Sequence, residues 1–142
     1  MIVVTTNDLA GWQVDAVIGE VFGLTVRARN AGAQLGAGFK AMFGGELKGL
    51  TKQLQQTRDE AMVRMVAAAQ ARGANAILAM RYDSNEIAEG WQELVAYGTA
   101  VVVSAVSETA KAQQAQMPQT APPTADDQQF AEAQVVAQQG QN

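Results

Sequence analysis

Four carboxylates crowd one short stretch of this chain: Asp83, Glu86, Glu89 and Glu93 lie within eleven residues. Hard cations such as Ca²⁺ and Mg²⁺ take oxygen ligands, so a hairpin carrying these side chains is a candidate divalent-cation site. The Asp-x-Asp-x-Asp-Gly loop of an EF-hand is missing there, and carboxylates at a hairpin end are otherwise simply solvated. Softer metals favour thiolate and imidazole, and the chain contains neither cysteine nor histidine. Thioethers remain. Met62 and Met65 stand one helical turn apart and offer a Cu(I) pair, against the commoner role of methionine as a core filler.

The same two missing residue types remove the imidazole base and the thiol nucleophile. A general base would have to be Asp, Glu, Lys or Tyr. Serine occurs only at positions 84, 104 and 107, none in a nucleophile elbow. The reading is therefore not an enzyme, with no catalytic residue assigned and no cofactor beyond a divalent cation on the hairpin. The glycine-punctuated stretch from Gly36 to Gly45 lacks the Gly-Lys-Ser/Thr ending of a phosphate loop. Its glycine pair, Gly44 and Gly45, is expected to end one helix and admit the next. The alternative is an anion site at the following helix N-terminus, beside Lys48 or Lys52. Phe39, Lys40, Phe43, Gly44 and Gly45 are expected to face a ligand or a neighbouring subunit.

These residues need elements to hold them. Residues 2–5 read as a short strand, and Trp12 to Asp15 lead into a second extended segment, Ala16 to Arg29, rich in β-branched and aromatic side chains. Gly19 and Gly23 interrupt it and predict a bulge or a close backbone approach. A short Gly/Ala-rich helix is expected over 32–45. A long one follows from about Leu47 to Arg72, with Leu47, Leu50, Leu54, Ala61, Met65 and Ala68 on one face. Glu60 and Arg64 stand four apart, acid first, which predicts an exposed helix face. Gly73 suits the left-handed position after the last turn. Ala76 to Tyr82 reads as a central strand, 85–90 as a turn, and Trp91 to Ser104 as the last strand. Asp59 and Glu60 are expected to face water or a neighbouring subunit.

Composition shifts near Ser107. Residues 108–142 hold all three prolines and many Gln and Ala, too little apolar surface to offset ordering entropy. The expected division is one domain over 1–107 and a disordered tail over 108–142, dispensable for folding and assembly. Around Phe130 a short amphipathic patch, capped by Asp126 and Asp127, is a candidate contact for a protein partner. A net charge of −4 without a basic run argues against nucleic acid. Met1 to Val4 is followed almost at once by Asn7 and Asp8, so it reads as a strand rather than a signal peptide. No apolar run reaches membrane-spanning length, and a cytoplasmic protein is expected.

Phe43-Gly44-Gly45, the run from Arg72 to Asp83, and Tyr97 to Val103 together resemble the YbjQ-type family, over roughly residues 1–104. The resemblance implies an α+β fold, a small, mainly antiparallel sheet packed on one long helix. It also implies pentamers and a link to heavy metals, without a ligand set. Independently, an alanine-rich core with free edge strands points to a homo-oligomeric ring. The functional expectation is a non-enzymatic oligomeric binding or scaffold module, with a pocket or pore lined by residues 31–45. The alternative is metal binding through the hairpin carboxylates.

Overall fold

The computed structural model describes residues 1–28, 48–88, 91–116 and 129. The expected short helix over 32–45, Phe39, Lys40, Phe43, Gly44, Gly45, Glu89 and Phe130 lie outside them. The chain is α+β. Strands β1 (Ile2–Val3), β2 (Trp12–Ala28), β3 (Ala76–Ala88) and β4 (Trp91–Ala105) form one sheet in the order β1-β3-β4-β2. β1 runs parallel to β3, and the other pairings are antiparallel. Helix α1 (Lys48–Ala71) joins β2 to β3, and helix α2 (Glu108–Gln116) follows β4.

α1 covers one face of the sheet. Ala61, Met65, Ala68 and Ala69 are buried with Val21, Ile77, Met80, Ala96 and Ala100. Small residues allow close approach: a Cβ on Gly23 would run into the backbone of Ala61 and Met65 and lie 3.0 Å from Arg64 Cβ. Of the two roles foreseen for the β2 glycines, Gly23 takes the close approach. Gly19 takes the bulge, where the register against β4 shifts. Leu54, on the expected apolar face, is 52% exposed because the buried cluster starts only at Ala61. Gly73 has a φ of 82° after the last turn of α1, as its position predicts.

A second bulge sits in β3 between Leu78 and Arg81, around Ala79 with its φ of 52°. It shifts the two-residue alternation by one, so Ile77 and Met80 both enter the cluster under α1. The N-terminal segment ties it down: Ala79 N donates to Thr6 O at 2.8 Å and Met80 N to Val4 O at 3.0 Å.

Two expectations are corrected. The polar run after Tyr82 is strand as far as Ala88, not a turn from Asn85, because its backbone continues the ladder with β4 (Asn85 opposite Glu93, Glu86 opposite Gln92). The segment after Ser107 opens as helix α2 rather than as disordered chain. Ser107 Oγ accepts from Ala110 N at 3.1 Å, and Ala110 is buried.

Candidate functional site

The β3–β4 ladder decides the fate of the carboxylates. Side chains alternate faces along a strand, and directly opposed residues share a face. Asp83 stands opposite Val95, and Glu93 opposite Asn85, so both lie on the face away from α1. They are diagonal neighbours, about 7–8 Å apart at the backbone. Glu86, opposite Gln92, lies on the other face. The hairpin thus brings two of the predicted ligands together and separates the third. Among the described residues no group of three or more Asp or Glu could hold a metal ion.

The thioethers do not converge on an open site either. Met65 and Met80 are buried in the cluster under α1, and Met62 packs against it. Tyr82, on the same side, donates its hydroxyl to Arg58 O at 3.3 Å, and the Arg58 guanidinium lies 5.4 Å from its ring centre. Burial raises the Tyr82 pKa above its ordinary value; Arg58 opposes this and Asp59 adds to it. Glu60 bridges Arg27 and Arg64, each at 2.6 Å. The Glu60–Arg64 pair therefore turns toward β2, not toward open solvent as its spacing suggested. Arg64 also donates to Leu24 O at 2.6 Å, and Arg72 to Glu20 O at 2.6 Å and Ile18 O at 2.8 Å. Three carbonyls of edge strand β2 are thus already taken by arginines. That corrects the expectation of a freely available edge on this side.

The face of the sheet away from α1 is different in kind. One end carries a second buried cluster, Ile2, Ala76, Leu78, Val101 and Val103, covered by Val4, Leu9 and Trp12 of the N-terminal segment. Beyond that cover, Phe22 stands opposite Tyr97, Leu24 opposite Val95 and Ala28 opposite Trp91. Trp91 is 50% exposed, Val26 43% and Tyr97 36%; Phe22, Leu24 and Val95 are partly open. Glu20, Arg81 and Asp83 border this apolar patch, and Glu93, opposite Val26, stands within it between Val95 and Trp91. Sequence reasoning did not single out these residues. The signal was present in the adjacent apolar pair Val21-Phe22, which puts large side chains on both faces of one strand.

The YbjQ family, described as "Putative heavy-metal-binding", matches residues 1–104. The chain belongs to the YbjQ family. It is similar to a UPF0145 protein of Streptomyces griseus, 62% identical over 106 residues, covering 75% of this chain and 88% of that one. A UPF0145 protein of Streptomyces coelicolor is 61% identical over 104 residues, covering 73% of this chain and 98% of the relative. A crystal structure of a protein of unknown function in the DUF74 family, from Pediococcus pentosaceus, aligns with a TM-score of 0.49 at 16% identity, covering 73% and 98% of the two chains. The family description implies a metal, and among the described residues the donors do not converge on a heavy one. Thiolate and imidazole are absent from the sequence. The thioethers of Met65 and Met80 are packed into the core, and the described hairpin carboxylates are divided between two faces.

Proposed function

We propose that this YbjQ-family chain is a non-enzymatic, self-assembling binding or scaffold module whose open sheet face meets a second copy of itself. The observation that carries the reading is the apolar patch of Phe22, Leu24, Val26, Val95, Tyr97 and Trp91, rimmed by charged residues. Contiguous exposed apolar surface with a polar rim is characteristic of protein–protein contact. The β2 edge is engaged by Arg64 and Arg72, which favours joining through the face. A closed ring requires this face to meet a different surface of the next copy, head to tail, and five copies are what the resemblance implies. Phe39, Lys40, Phe43, Gly44 and Gly45 belong to the same proposal as ligand- or subunit-facing residues, with a cytoplasmic setting. Among the described residues no helix is long and apolar enough to cross a membrane.

Tyr97→Glu tests the reading, because it puts a charge directly opposite Phe22 in the patch. Size-exclusion chromatography with light scattering should show a smaller assembly at unchanged circular dichroism; an unchanged assembly would sink the proposal. The second reading, a divalent cation on the hairpin, rests on Asp83 and Glu93 sharing a face. Thermal shifts with Ca²⁺, Mg²⁺ and Zn²⁺ separate the two. The scaffold reading predicts no shift. A shift that disappears in Asp83→Asn and in Glu93→Gln, and survives in Glu86→Gln on the other face, would establish the metal instead.

A further inference from the structure

The family match covers residues 1–104, so helix α2, from Glu108, lies beyond the matched part of the chain. α2 is nonetheless built into the body. Gly11 O accepts from Val106 N at 3.0 Å and from Ser107 N at 3.1 Å, which fixes the chain just before the helix. Ser107 caps it, its Oγ accepting from Ala110 N at 3.1 Å and its carbonyl from Lys111 N at 3.0 Å. Glu108 sits in the first turn and pairs with Lys111 at 2.8 Å. Ala110, 2% exposed, is the buried residue of the helix.

The receiving site is shaped for this contact. Gly11 has a φ of 78°, a conformation that favours glycine. A Cβ there would run into Ser107 Oγ and lie 3.4 Å from Ala110 Cβ. Gly11 also ends the loop that carries Val4 and Leu9 over the second cluster, and Trp12 follows directly. A nine-residue helix is too short to persist alone in water, so its order comes from the cap and from this contact.

We infer that α2 is a strap: docking of Ser107 and Ala110 on Gly11 clamps the N-terminal loop, residues 4–12, over the second cluster. This makes the start of the C-terminal extension part of the folding unit, and it reverses the expectation that everything after Ser107 is dispensable. Trp12 packs against the clamped cluster while Trp91 is half exposed, so a Trp91→Phe background isolates Trp12 emission as a reporter.

In that background, Ala110→Glu in the full chain should shift Trp12 emission to the red and lower the melting temperature by about 4 °C or more. Truncation after Ser107 should do the same, whereas truncation after Gln116, which keeps α2, should match the full chain. Unchanged melting and emission in Ala110→Glu would overturn the strap. So would a chain ending at Gln116 that behaves like the one ending at Ser107.

Discussion

The two faces of the sheet solve opposite problems. Under α1, Ala61, Ala68, Ala69, Ala96 and Ala100 leave little volume to fill, and Gly23 lets the helix backbone come down on β2. From Ala61 to Ala69 the small residues of α1 are buried against the sheet within one chain. On the other face larger side chains, Phe22, Tyr97 and Trp91, stand half open once the N-terminal cover ends. Close packing of small residues serves the fold, and the large apolar residues left in solvent are the ones proposed for contact with a second copy. The same substitution strategy should therefore melt the protein on one face and only dissociate it on the other.

The sharpest contrast should come from volume. Gly23→Val forces two methyl groups into the Ala61 and Met65 backbone, which no side-chain rotation relieves. It should cost about 3 kcal/mol or more, read from the urea midpoint. Met65→Ala, a cavity in the same buried cluster, should cost about 3 kcal/mol by the same measurement. Arg72→Ala frees the carbonyls of Ile18 and Glu20 on the edge strand. The expected loss is about 1 kcal/mol, with faster amide exchange along β2. Thr25→Val runs the other way. Thr25 is 3% exposed and its hydroxyl has no hydrogen-bond partner, so an isosteric methyl should raise stability by about 1 kcal/mol. A loss on that substitution would show that the hydroxyl is satisfied.

The smallest effect is a matter of pH. The folded Tyr82 pKa is raised, chiefly by burial, so the folded state holds this proton longer than the unfolded chain. That stabilisation is complete below the unfolded tyrosine pKa of about 10 and is lost as pH rises through the folded value. Melting temperatures of the parent should fall relative to Tyr82→Phe above about pH 10. Parallel curves would remove Tyr82 from the account.

The elements themselves were largely legible. Gly19 and Gly23 already marked a bulge and a close approach in β2. Gly73 marked the end of α1, and the apolar run from Ala76 to Tyr82 marked β3. Other features depended on backbone pairing that side chains do not announce. Asp83-Ser84-Asn85-Glu86 carries turn-forming residues, yet its ladder with β4 keeps it extended and splits the carboxylates between faces. The spacing of Glu60 and Arg64 predicts their pairing but not that Arg27 draws it toward β2. Helix α2 has one buried residue, Ala110, and no periodicity reveals an alanine that fits a glycine ten positions from the N-terminus.

Mass shows whether the open face joins copies of this chain. Light scattering on untagged protein at micromolar concentration should return a multiple of the 15.0 kDa chain, five copies if the ring is a pentamer. A species of 15.0 kDa across that range would contradict the account and leave the patch of Phe22, Tyr97 and Trp91 without a second copy to cover it.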